Sequence, residues 1–292
     1  MKISFIGLGI MGSAMVRNLL KKGYTVQGWA RHPDKASALV QAGLKLKDSI
    51  AAAVADADIV FTMVGGPADV RELYLGPDGI LKHVKKGTIL IDCTSSSPAL
   101  AEEIFKTAEL SGCEALDMPV SGGQKGAEEG TLSLFAGGKR ETLEKVMPVL
   151  DAVSKTVTYE GPAGYGQHTK LVNQIMVAGQ LAGMCEGFAY AIEKGLDLKA
   201  VLKSVSPGAA RCASLDLYGE KILQGDKNPG GALRYLVKDL KNAYAELEGT
   251  GLDLAVSRQA LKCYETMESE GHGNDGTQAL TWFYSEHRKK NS

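Results

Sequence analysis

Short apolar runs of four to six residues recur along the first half of the chain, and most are followed by a longer stretch in which apolar positions return every three or four residues. The runs fall at Lys2–Ile6, Thr25–Ala30, Ile59–Val64, Thr88–Asp92, Glu114–Met118, Ser133–Ala136 and Thr156–Tyr159. Helical spacing fills intervals such as Met11–Lys22, Pro33–Ala42 and Pro98–Leu110. Strands apolar on both faces and separated by helices predict a parallel, doubly wound sheet. The last runs lie closer together, which predicts a mixed edge.

After Gly161-Pro162-Ala163-Gly164 the pattern changes. Tyr165 to Lys194 is one long helical stretch, apolar nearly all round, and no strand pattern follows it. Its most apolar part, Ile175–Ile192, contains Gln180, Glu186 and three glycines, which suits a buried helix better than a membrane span. The apolar run after Lys2 reads as strand, turn and helix rather than a signal peptide, because it holds three spaced glycines and no small-residue cleavage site. The terminal Arg288-Lys289-Lys290 cluster reads as a solvated tail.

Composition narrows the function. Thirty-three basic residues against 34 acidic ones give no electrostatic footprint for nucleic acid or an anionic membrane. Five scattered cysteines without a C-x-x-C pair, and five histidines without metal spacing, point to no metal and no disulfide framework. A reducing, cytoplasmic location is expected. Glycine is the outlier, at 35 of 292 residues.

Part of that excess is a motif. Gly7-Leu8-Gly9-Ile10-Met11-Gly12 is G-x-G-x-x-G between the first strand and the first helix. The first glycine permits the turn, the second lets backbone approach a pyrophosphate, and the third packs helix on strand. The expected architecture is therefore α/β, an N-terminal Rossmann doubly wound sheet followed by an all-α C-terminal domain. The cofactor domain spans 1–162 and the substrate and oligomerisation domain 163–292, starting with a long interdomain helix. An NAD site ends its second strand in Asp or Glu. Here Ala30 takes that place and Arg31 follows, which favours NADP(H) over NAD(H).

Ser121-Gly122-Gly123 follows the fifth strand, where the Gly-Gly pair reads equally as an ordinary loop or as backbone N–H groups able to meet a carboxylate. Lys170 opens the long helix at the domain junction, where it reads either as a side chain snorkelling at a helix end or as a desolvated amine able to donate or accept a proton. Gln174 lies one turn on and Asn173 three residues on, whereas His168 falls on the other side and reads as surface. Gly179, Gly183 and Gly187 recur every fourth residue, which predicts close packing against another helix or a second subunit.

Together these motifs resemble the β-hydroxyacid dehydrogenase family, which includes 3-hydroxyisobutyrate dehydrogenases. The resemblance rests on the glycine motif, Asp92–Pro98, Asp117–Gly123, Gly126–Leu132, Gly164–Gln174 and Lys238–Leu240. Gly271–Asp275 resembles the tartronate semialdehyde reductase branch in particular. The resemblance implies Lys170 as catalytic acid/base, a substrate carboxylate held by Ser121, Gly122 and Gly123, and a nicotinamide beside Ser95 and Lys238. Met63 and Val64 complete the cofactor set. The family often has Asn where this chain has Gln174, so Asn173 or Gln174 supports the lysine. It also implies a homo-oligomer acting on a small carboxylate-bearing substrate. The expected activity is NADPH-dependent reduction of a small semialdehyde carboxylate, tartronate semialdehyde first. Alternatives are 3-hydroxyisobutyrate, serine or succinic semialdehyde/4-hydroxybutyrate as substrate, or a non-catalytic NADPH-binding module.

Overall fold

The computed structural model describes residues 1–287, so the tail expected at Arg288-Lys289-Lys290 lies outside the described residues. The chain divides into two units, Met1–Lys170 and Leu171 onward.

The first unit runs β1 (Lys2–Ile6), α1 (Ile10–Lys21), β2 (Thr25–Trp29), a 3₁₀ turn (Pro33–Ala36) leading into α2 (Ser37–Gln41), β3 (Lys45–Leu46), α3 (Ile50–Val54), β4 (Ile59–Thr62) and α4 (Pro67–Leu75). It continues through β5 (Ile89–Asp92), α5 (Pro98–Leu110), β6 (Glu114–Asp117), β7 (Val120–Ser121), α6 (Gly123–Glu129), β8 (Leu132–Gly138), α7 (Arg140–Leu150) and β9 (Ser154–Gly161). The sheet order is β3-β2-β1-β4-β5-β6-β8-β7, with β9 also on β8. Strands β1 to β6 are parallel, and β8 is antiparallel to β6 and β7, so the edge is mixed where the shorter spacing predicts it.

The central strands are apolar on both sides because both sides are covered. Phe5, Phe61 and Ile91 share one core with Met15, Leu19, Leu134 and Val146. Ile6, Val60 and Leu90 share the other with Val54, Val70, Tyr74 and Ile104. Local chemistry starts the helices: Ser97 accepts the Leu100 N–H at the head of α5, with Pro98 at the first helical position. The two-residue strands β3 and β7 are additions to the sequence pattern.

Helix α8 (Tyr165–Glu193) begins in the first unit and continues in the second, which adds α9 (Leu198–Val205), α10 (Ala213–Leu223), α11 (Leu233–Glu246), α12 (Ala255–Met267) and α13 (Leu280–Glu286). Among the described residues of this unit the extended pairing is one isolated bridge, Ala232 to Gly276. Its core gathers Leu181, Cys185, Leu236, Leu240, Tyr264 and Leu280.

The expectation of a buried α8 needs correction. By length and composition it is apolar enough to cross a membrane, yet only 33% of its most apolar stretch is buried. Ala178, Leu181, Cys185 and Phe188 face the core, while Val172, Met176 and Tyr190 are exposed. The helices of the second unit cover one side of α8 only.

Candidate active site

Because β1, β4, β5 and β6 are parallel, the loops after them gather at one edge of the sheet. Gly7 leaves β1 with φ of +99°, and a Cβ there would run into the Met63 carbonyl. A Cβ on Gly12 would strike the Gly7 carbonyl. Gly9 is different: nothing lies within 4 Å of its missing Cβ, and α1 starts there without a side-chain cap. The turn is thus closed by Gly7 and Gly12 and left open at Gly9, with uncapped N–H groups facing the opening. That cradle fits a dinucleotide pyrophosphate. Leu8 and Met11 pack on the core beside it, Ile10 is exposed, and Val64 lies 3.2 Å from where a Gly7 Cβ would stand.

Arg31 lies beyond the end of β2. Its side chain is 75% exposed, and its guanidinium is 3.5 Å from Asp69. No carboxylate occupies position 30.

Ser95 is half-buried in the loop after β5, between buried Thr94 and Ser96. This loop is braced from both sides. The Thr94 hydroxyl accepts the Val64 N–H (3.0 Å), and its own N–H reaches Asp92 Oδ1 (3.1 Å). Asp92 Oδ1 also accepts from Thr62 (2.8 Å), whose hydroxyl lies 2.9 Å from that of Tyr74. With the Thr62 proton committed to a carboxylate, the Tyr74 hydroxyl is the donor in the second bond. Burial pushes the Asp92 carboxyl up to about 6, against the pull of these donors, and neighbouring Asp117 adds to the rise. Asp92 and Asp117 are direct partners in the β5–β6 register.

Asp117 is also buried, and burial raises its pKa despite several backbone N–H donors. Two of these are Gly164 (2.8 Å) and Gln167 (2.9 Å), at the start of α8. The Gln167 amide accepts the Ser96 N–H and donates to the Thr94 carbonyl, each at 2.8 Å. These bonds tie the first turn of α8 to the sheet, and the division between units accordingly falls after Lys170. Lys170 is buried at 8% exposure, three residues beyond Gln167, and His168 is exposed.

Ser121 ends β7, paired with Ser133 of β8. Gly122 (φ +128°) and Gly123 (φ +61°) are exposed and open α6 without a side-chain cap. A carboxylate can meet backbone N–H groups there.

Asn173, Gln174 and Lys238 form a cluster within the second unit. Asn173 Nδ2 donates to Gln174 Oε1 (2.8 Å), and Gln174 Nε2 donates to Asp239 Oδ2 (2.6 Å). The Lys238 ammonium lies 3.1 Å from Asp239 Oδ1. Buried Asp239, which only accepts when ionised, fixes which way the Gln174 amide points. Asp92, Asp117, Gln167 and Asp239 are not singled out by sequence reasoning, although each lies in or beside a quoted motif. One usable signal is the absence of a capping oxygen in Pro162-Ala163-Gly164, which calls for a cap from elsewhere. All five cysteines are free, and among the described residues no group of His, Cys, Asp or Glu is arranged to hold a metal.

Residues 2–161 match the family model for the NAD-binding domain of 6-phosphogluconate dehydrogenase, and residues 164–284 match that for the NAD-binding domain of NADP-dependent 3-hydroxyisobutyrate dehydrogenase. The chain is 42% identical over 280 residues to a probable 3-hydroxyisobutyrate dehydrogenase-like 1, mitochondrial, of Arabidopsis thaliana, covering 96% of this chain and 84% of that protein. It is 32% identical over 278 residues to an NAD-dependent L-serine dehydrogenase of Pseudomonas aeruginosa, covering 93% of each. A solved structure of Mycobacterium tuberculosis 3-hydroxyisobutyrate dehydrogenase with L-serine is similar with a TM-score of 0.86 and 29% identity, over 98% of this chain and 99% of that one.

Proposed function

The chain belongs to the 3-hydroxyisobutyrate dehydrogenase-like family of β-hydroxyacid dehydrogenases, which are NAD(P)-dependent oxidoreductases, and on that premise we propose that it reduces a small semialdehyde carboxylate with NADPH, using Lys170 as the acid/base. The observation that carries the proposal is a buried lysine on a helix whose opening turn is bonded to the sheet edge that also bears the open glycine cradle. Tartronate semialdehyde is the first substrate to test, on the strength of Gly271–Asp275 alone. L-Serine oxidation is the second reading, favoured by the likeness to a serine dehydrogenase and to a structure holding L-serine.

Bound NADPH supplies the hydride that the aldehyde carbon receives. Ser121 and the N–H groups of Gly122 and Gly123 orient the substrate carboxylate. The Lys170 ammonium gives its proton to the carbonyl oxygen as negative charge develops there, and the neutral amine takes it back in the oxidative direction. A positioned proton transfer of this kind is worth ~10²–10⁴-fold. Gln174, held by Asp239, orients Asn173 in the turn after the lysine. Arg31 receives the 2′-phosphate that distinguishes NADPH. The same reading makes the protein a cytoplasmic homo-oligomer, which the free thiols and the exposed apolar side of α8 support.

Turnover of C3 and C4 semialdehydes with NADPH, and of L-serine with NADP⁺ and NAD⁺, followed by nicotinamide absorbance, separates the two readings. Lys170→Ala is expected to lower kcat by at least ~10² while NADPH affinity stays within about twofold. Wild-type kcat in this variant would end the assignment. Tight NADPH binding with no turnover across the panel favours a non-catalytic module.

A further inference from the structure

Helix α8 opens without a cap of its own, since Pro162, Ala163 and Gly164 carry no side-chain oxygen and the first-turn N–H groups need acceptors. Asp117 supplies them from far away in sequence, one carboxylate oxygen to Gly164, 47 residues on, and the other to Gln167, 50 residues on. The approach is close enough to demand glycine on both sides. A Cβ on Gly166 would strike the Phe135 carbonyl, and one on Gly137 would strike the Asp117 carboxylate. A carboxylate against a helix N-terminus is also favoured by the helix dipole. The cap therefore fixes where α8 starts and how it is turned about its axis.

Gln167, fully buried, extends this anchorage to the loop after β5. Its amide holds the peptides on both sides of Ser95, accepting from Ser96 N–H and donating to the Thr94 carbonyl. Lys170 follows three residues later, about 60° away around the helix. One short segment thus joins the sheet-edge carboxylate, the Ser95 loop and the lysine.

We propose that Asp117 and Gln167 are positioning residues for Lys170: the capping carboxylate and the bridging amide set the opening turns of α8 against the Thr94–Ser96 loop, so that the lysine ammonium is presented to the reacting oxygen in one register. The proposal rests on the reading of Lys170 as the acid/base. The side chains of both are bonded to backbone groups, that of Asp117 to Gly164 and Gln167, and that of Gln167 to Thr94 and Ser96, so each acts through the lysine. A misplacement of about 1 Å in a group that must meet a reacting atom costs up to ~10²-fold in rate, without comparable loss of binding.

The test uses the full chain carrying Asp117→Asn or Gln167→Met, alone and combined with Lys170→Ala. Asparagine in place of Asp117 keeps the volume and one acceptor but cannot take both N–H groups. Methionine in place of Gln167 keeps the bulk of the bridge without its polar ends. Each single variant is expected to lose ~10- to 100-fold in kcat. KM for the aldehyde, and the Kd of NADPH read from protein fluorescence, should stay within about twofold. In the Lys170→Ala background either change should alter the residual turnover by less than about twofold, because the residues act through the lysine. Equal losses in both backgrounds, an unchanged kcat in the single variants, or KM and Kd rising in step with the loss would overturn the proposal. If Asp117→Asn does not fold, Gln167→Met carries the test with the cap intact, and unfolding of both makes the roles structural and refutes it. Full activity of Lys170→Ala refutes the reading of the lysine instead, a result distinct from an inactive Lys170→Ala beside fully active Asp117→Asn and Gln167→Met.

Discussion

Asp92 is a carboxyl group that holds its proton more tightly in the fold than outside it, because burial outweighs the donors that face it. Its pKa stands at about 6, against an ordinary 3.8. Between these values the folded state binds more protons than the unfolded one, so this residue lowers stability as pH rises through that window and has no further effect above it. Asn at this position keeps an oxygen for Thr62 and Thr94 and has nothing to ionise. Relative to wild type, Asp92→Asn should therefore gain about 2 kcal/mol on going from about pH 4 to about pH 7. Urea unfolding of both proteins at the two pH values reads the difference, and a constant difference would show that the buried carboxyl is not strained by its charge. Residues of this kind divide what the sequence can reveal. Gly7, Gly9 and Gly12 are legible because their task is local and their spacing is the signal. Asp92, Asp117 and Gln167 are not, because what they hold lies in another strand, loop or helix.

Elements were legible where the pattern was long and bounded by chemistry. Helix α5 occupies Pro98–Leu110 as the Ser97-Pro98 start implies. The Pro33–Ala42 stretch divides into a 3₁₀ turn and α2, and β3 and β7 are too short for any periodicity to register. On α8 the glycine stripe predicts close packing, and the structure qualifies that expectation. A Cβ on Gly179 would meet Val256 at 3.9 Å, but one on Gly183 or Gly187 would meet nothing within 4 Å beyond its own helix. Their neighbours along this exposed side include Val172, Met176 and Tyr190, so the proposed oligomer has an apolar, glycine-lined face available to it. A Cβ at position 183 fits the chain as it stands, and Gly to Ala in a helix interior is worth up to about 1 kcal/mol. Gly183→Ala should therefore raise the stability of the dissociated chain while weakening self-association that depends on helices meeting at that glycine. Sedimentation velocity over a range of concentrations, paired with thermal unfolding, follows both effects. A wild-type chain that stays monomeric at the highest concentration removes this face as the interface.

At the scale of the molecule, the alternation of apolar runs and helical stretches implied the first unit, and its disappearance after Gly164 implied the second. Cofactor preference was not legible to the same degree, because it turns on one exposed guanidinium at a strand end rather than on a pattern. Arg31 is only loosely engaged with Asp69, so little has to be broken before it meets a phosphate. Linkage turns this into a measurement that needs no substrate. A ligand that binds only the folded state stabilises it by RT ln(1 + [L]/Kd), about 2.7 kcal/mol at a concentration of 100 Kd. If Arg31 recognises the 2′-phosphate, NADPH at a given concentration should raise Tm more than NADH does. A tenfold tighter Kd corresponds to about 1.4 kcal/mol of extra stabilisation. Arg31→Ala should bring the NADPH shift down to the NADH shift while leaving the NADH shift itself unchanged, since the glycine cradle serves both cofactors alike. Equal shifts in the wild type would mean that Arg31 does not discriminate. A loss of both shifts in the variant would mean that it contributes to the site in some way other than reading the phosphate.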